Sequence, residues 1–183
     1  MKVAIDILLL QSPLFMLVSL IIAGLITWSF TPIFYALMFY TLGLASNRML
    51  KYICAVVFPN SVHIHRPTQC PLPEQGTGRC EQCHILPIWG APLDGDQMLG
   101  MPSGHAQSMV MIATAWTLFA SVYLQDTMHR YLTSVFFWLW AGAVMFQRVH
   151  SRCHTIEQVA MGAVIGASFG VFTHIIAGKN ILA

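Results

Sequence analysis

Five apolar runs, divided by one long polar stretch, constrain this chain more than any other feature. The first covers residues 14–30 and reaches back through residues 7–10; the others fall near 33–58, 104–124, 131–149 and 155–177. A helix needs ~20 mostly apolar residues to cross the hydrocarbon core of a bilayer, and the runs are near that length. Only 9% of the residues are charged and 56% are hydrophobic. A soluble domain carries about a quarter charged residues, so a water-facing surface cannot be built from this inventory. The pattern predicts an all-α integral membrane bundle of about five transmembrane helices. It forms a single domain over residues 1–183, with one large polar loop, 59–101, rich in Pro, Gly, His and Cys. The first run reads as a retained helix rather than a signal peptide. No small-residue cleavage site follows it, and Trp28, Phe30 and Pro32 lead into further apolar sequence. A net charge of +2 without a basic run excludes nucleic acid as a partner and leaves the lipid bilayer.

Counting crossings gives a topology. If the second helix ends near Phe58, the polar loop lies on one side of the membrane. The third helix leaves that side and the fourth returns to it near Arg148–His154. Lys51, Arg66, Ser103, His105, Arg148 and His154 should then share one membrane face.

Pro102-Ser103-Gly104-His105 stands where the loop becomes a helix. The first turn of a helix has unpaired N–H groups and the positive end of the macrodipole, and binds phosphate readily. Pro102 suits initiation, Gly104 lets an anion approach the backbone, Ser103 adds a hydroxyl, and His105 is a candidate proton donor. An ordinary helix cap would use similar residues. Arg148 and His154 bracket the polar link between the last two runs. Arginine is a permanently charged fork that matches phosphate oxygens, and near a membrane it calls for an anionic partner. His154 is followed one turn later by Gln158, which can hold one ring nitrogen while the other acts as nucleophile. Asn47 and Lys51 share a helix face, and Arg66-Pro67 follows in the loop; the two cations can complete a phosphate cage, although Lys51 also suits a snorkelling position.

These residues resemble the type 2 phosphatidic acid phosphatase superfamily, whose motifs are a Lys followed by Arg-Pro, then Pro-Ser-Gly-His, then an Arg with a His six residues on. Here they are Lys51 with Arg66-Pro67, Pro102-Ser103-Gly104-His105, and Arg148 with His154. Asn47, Leu50, Gln107, Met109, Thr155, Gln158 and Val159 look most like the dolichyl-diphosphatase branch. The resemblance implies a lipid phosphatase acting on a polyprenyl diphosphate without cofactor or metal. It casts His154 as nucleophile and His105 as acid and base. Lys51, Arg66, Ser103, Gly104 and Arg148 would bind the phosphate, with Gln158 and Asn47 orienting. Two departures stand out. Lys51 and Arg66 are fifteen positions apart, more than the family's usual spacing, so the intervening residues should loop out. Gln158 occupies a place where many members have Asp.

Other readings compete. Cys80-Glu81-Gln82-Cys83-His84 matches a haem-attachment pattern, for which Met98, His63 or His65 could supply a second ligand. Cys70, Cys80, Cys83 and His84 form a zinc-ligand set, and a disulfide between two of the loop cysteines is also open. Cys54 and Cys153 read as small residues at helix ends. A catalytically inactive scaffold of the same fold is a further alternative; the stripe Gly162, Gly166, Gly170 suits close helix packing in either case. Orientation cues conflict. The distribution of Lys and Arg favours a cytoplasmic catalytic face, whereas the loop cysteines and the resemblance favour the endoplasmic reticulum lumen.

Overall fold

The computed structural model describes residues 2–28, 30–66 and 99–180. Among them the chain is helical apart from turns, a few linking residues and one isolated antiparallel bridge between His65 and Leu99. The helices are α1 (Lys2–Thr27), α2 (Phe30–Met38), a π-helical segment (Phe39–Ala45), α3 (Ser46–Val57), α4 (Gly104–Tyr123), α5 (Thr127–His150) and α6 (Ile156–Asn180). Met38, Ala45 and Ser46 keep right-handed helical dihedrals, so α2, the π segment and α3 form one continuous rod.

Two stretches, Thr127–His150 and Ile156–Ala177, are long and apolar enough to cross a membrane. The break between the runs near 104–124 and 131–149 is present but shorter than composition suggests, because α4 ends at Tyr123 and α5 begins at Thr127. Asp126 caps α5 by accepting a 2.8 Å hydrogen bond from Met128 N, which places residues from Thr127 onward inside the helix.

α4 is the central helix. Its Met109, Val110 and Ala113 pack against Ala141 and Val144 of α5. Its Met111 and Ile112 meet Phe39 of the π segment. Against α6 the contact is closer still, and glycine makes it so. A Cβ at Gly162 would lie 2.4 Å from Ser103 O, at Gly166 2.2 Å from Gln107 O, and at Gly170 2.7 Å from Met111 O. Both partners advance by four residues in the same direction, so α4 and α6 run parallel and start at the same end. α5, packed on α4, runs in the opposite direction and brings Arg148 back to that end. α1 docks on α5 next to Pro13, a position that lacks an N–H donor. Beside it, buried Ser12 donates to Leu8 O at 2.9 Å and accepts from Trp140 Nε1 at 2.9 Å.

Polarity is inverted relative to a water-soluble domain. Ile26, Val56 and Phe146 are 70–79% exposed, whereas Gln107, Arg148 and Gln158 are fully buried.

Candidate active site

The candidate site is built where α4 and α6 begin and α5 ends. The Arg148–His154 spacing has a specific backbone cause. α5 stops at Ser151, Arg152 turns the chain with φ 54°, and the N–H groups of Cys153 and His154 both return to Arg148 O, at 3.1 and 3.2 Å. His154 is thereby fixed against the end of the helix that carries Arg148. Arg148 itself is fully buried, its Nε and Nη2 held by Gln147 Oε1.

His154 Nδ1 lies 3.0 Å from Gln158 Oε1. The Gln158 Nε2 group faces two main-chain carbonyls, His63 O at 2.8 Å and His65 O at 2.7 Å, which can only accept. The amide orientation is therefore set, Oε1 faces the ring, and Nδ1 must carry the proton. Nε2 of His154 keeps its lone pair. Burial first, then the charges of Arg66, Lys51 and His105, hold its pKa well below the usual 6.5, against the opposing Gln158 hydrogen bond. The ring is neutral and nucleophilic at physiological pH.

Two permanent cations thus press on one buried imidazole together with the His105 ring, and both come from the distant Lys51–Arg66 pair. The intervening residues do turn back, as the long spacing requires. Phe58–Ile64 folds through hydrogen bonds from Ser61 N to Phe58 O and from Ile64 N to Ser61 O. Gly100 N and Met101 N then bind Ile64 O at 2.7 and 3.3 Å, and Lys51 Nζ donates to Leu99 O at 2.8 Å. Lys51 is anchored in the site rather than extended to an interface.

Ser103 stands at the N-cap of α4 but makes no cap hydrogen bond with its side chain. Among the described residues its Oγ is buried without a partner, and so are Nε and Nη1 of Arg66. Burial lowers the Arg66 pKa to about 10, so the guanidinium stays charged. A buried cation and hydroxyl with unused hydrogen-bonding capacity are costly unless an anion joins them. His105 is buried in the first turn of α4. Pro102 precedes the cap instead of standing in the first turn. Gly104 has a packing reason as well as any chemical one, because a Cβ there would lie 2.8 Å from Asn47 Oδ1.

Asn47 is held in turn: its Nδ2 donates to Pro102 O at 3.2 Å and to Gln107 Oε1 at 2.9 Å. Gln107 Nε2 donates to Leu42 O at 2.6 Å and to Ser46 Oγ at 3.1 Å, and Ser108 Oγ to Gly43 O at 2.9 Å. Of this second layer, sequence reasoning named Asn47 and Gln107 but left out Ser46, Ser108 and Gly100. The one signal for it was a run of polar side chains inside an otherwise apolar helix.

The sequence profile of the PAP2 superfamily matches residues 13–182. The chain belongs to the PAP2 superfamily. Membership is consistent with hydrolysis of a lipid phosphate. Among curated proteins, Dolichyldiphosphatase 1 of Dictyostelium discoideum is 35% identical over 80 residues, covering 40% of this chain and 34% of that relative. The match therefore spans about a third of the relative's length. No solved structure matches the chain with significance. The family motifs read from the sequence supply Lys51, Arg66, Ser103, His105, Arg148 and His154, and the fold brings these to one end; Pro67 lies outside the described residues.

The cysteines depart from expectation. Cys153 is not merely a small residue at a helix end: it is disulfide-bonded and almost fully buried, whereas Cys54 is a free thiol. The zinc set Cys70, Cys80, Cys83 and His84, the haem pattern and a disulfide within the loop all fall outside the described residues. Glu157 lies off the site, exposed and 3.8 Å from His63, which leaves the orienting position to Gln158.

Proposed function

We propose that this protein is a multi-pass membrane phosphatase, a single domain that hydrolyses a polyprenyl (dolichyl-type) diphosphate through a phosphohistidine on His154. The observation that carries this reading is the set of buried donors that lack a partner among the described residues, Arg66 Nε and Nη1 and Ser103 Oγ, at the same end of the fold as a neutral buried imidazole. That arrangement suits a phosphoryl group and little else.

His154 Nε2 attacks the terminal phosphorus. The P–O bond to the polyprenyl phosphate breaks, and His105 protonates the departing oxygen. Water then attacks the phosphorus of the phosphohistidine, His105 accepts its proton, the P–N bond breaks, and phosphate leaves as His154 Nε2 is restored. Lys51, Arg66 and Arg148, with Ser103 Oγ and Gly104 N–H, stabilise the equatorial oxygens. Three protein cations supply the neutralisation that a divalent metal gives elsewhere, so activity should not require one.

The membrane setting follows the same logic. α1, the continuous rod of α2 and α3, α4, α5 and α6 are read as five crossings, with apolar side chains facing lipid and the polar network inside. Disulfide-bonded Cys153, next to His154, favours a catalytic face on an oxidising side, as in the lumen of the endoplasmic reticulum.

The test is phosphate release from a polyprenyl diphosphate by detergent-purified protein, with and without chelator, beside His154→Ala. Chelator-resistant release that disappears in the variant supports the reading. Release that survives in the variant, or none from any lipid phosphate, rejects it.

A further inference from the structure

The Gln158 side chain reaches well beyond His154. Its Oε1 accepts from His154 Nδ1 at 3.0 Å and from Thr155 N at 3.2 Å. Its Nε2 donates to His63 O and His65 O, the backbone that leads directly into Arg66. Its main-chain oxygen accepts from Ser103 N at 3.0 Å. One residue therefore ties together the segments that carry Arg66, Ser103 and His154. Space for the amide is reserved as well. A Cβ at Gly100 would lie 2.4 Å from both Oε1 and Nε2 of Gln158.

We propose that Gln158 is a positioning residue whose amide, not merely its acceptor oxygen, is required, because its two donors clamp the Arg66-bearing segment to the nucleophile. The inference rests on the phosphatase reading above and gives a physical reason for Gln where other members carry Asp. A carboxylate can hold His154 Nδ1 and favour its charged form, but it has no donor for the two carbonyls and would repel them. The guanidinium that the segment positions would then drift from the phosphate.

Three variants separate these roles: Gln158→Met, Gln158→Glu and Gly100→Ala, each checked for a cooperative thermal transition in detergent. The neutral variants, Gln158→Met and Gly100→Ala, are assayed for inorganic phosphate affinity. Losing the paired carbonyls should weaken it roughly tenfold to a hundredfold. Gln158→Glu and Gln158→Met are assayed for kcat/KM against pH on a polyprenyl diphosphate. The clamp predicts that Glu fails to restore activity over Met, although it moves the acid limb upward. Full rescue by Glu, or wild-type phosphate affinity in either neutral variant, overturns the proposal. Should the Gln158 variants not fold, Gly100→Ala decides alone. In wild-type protein labelled with ¹⁵N-glutamine, the Gln158 side-chain amide protons should exchange slowly, and exchange at the solvent rate would also overturn it. Predicted phosphate losses without hydrolysis by the wild type would remove the catalytic reading and leave the clamp standing.

Discussion

A neutral histidine among cations is the chemical centre of this site, and its ionisation can be followed. Because His154 is held well below 6.5, the acid limb of kcat/KM in the wild type should lie below that value. The sign for a variant follows from Coulomb's law. Arg66 is the largest charge acting on the ring, so Arg66→Gln removes repulsion from the imidazolium and should move the limb toward neutral pH. The substrate's own phosphate ionisation is common to both enzymes and cancels in the ratio of their profiles. An unmoved limb would mean that Arg66 does not face His154. Arg66→Lys keeps the charge but loses the fork, so it should preserve the limb while raising KM, since an ammonium cannot use both Nε and Nη1 positions.

The helices deliver those side chains through contacts that tolerate no extra atoms. Gly166→Ala would drive a Cβ against Gln107 O at 2.2 Å, a backbone atom that cannot rotate away. The α4–α6 pair must spread, at a cost of about 1–3 kcal/mol. Gly142→Ala on α5 meets nothing within 4 Å and should be neutral or slightly stabilising, through helix propensity alone. Thermal unfolding in detergent compares the two; equal midpoints would refute the close parallel contact. The π segment makes a related demand. Gln107→Leu leaves Leu42 O and Asn47 Nδ2 each short of a partner and should destabilise the protein by roughly 1–3 kcal/mol. The glycine stripe was legible in the sequence because its period of four is visible in residue types. The π segment was not, since nothing in Phe39–Ala45 distinguishes it from an ordinary apolar helix.

Topology was readable for a simple reason: each apolar run reverses the direction of the chain, so parity alone brings Ser103, His105, Arg148 and His154 to one end. The meeting of Lys51 with Arg66 was harder to read, because it depends on the turn at residues 58–64 and on main-chain bonds to Leu99, Gly100 and Met101. Main-chain partners leave no trace in a pattern of side chains. Cys153 belongs to the same class, since a lone cysteine does not announce its pairing. That pairing nevertheless bears on which way the protein faces. The excess of Lys and Arg at the catalytic end would favour the cytoplasm, but Lys51, Arg66 and Arg148 are committed to the site, which weakens that cue. A disulfide beside the nucleophile persists only where thiols are not kept reduced. The catalytic end should therefore face away from the cytoplasm. In a background where Cys54 and every loop cysteine that reacts with a thiol reagent in the denatured, unreduced protein are replaced by Ala, exposed Gln125 on the turn between α4 and α5 and exposed Val62 at the catalytic end are replaced singly by Cys. In sealed vesicles with the cytoplasmic side outward, a membrane-impermeant maleimide should label Gln125→Cys directly and Val62→Cys only after permeabilisation. The opposite pattern would place the site in the cytoplasm, and labelling of both without permeabilisation would contradict the odd number of crossings between them.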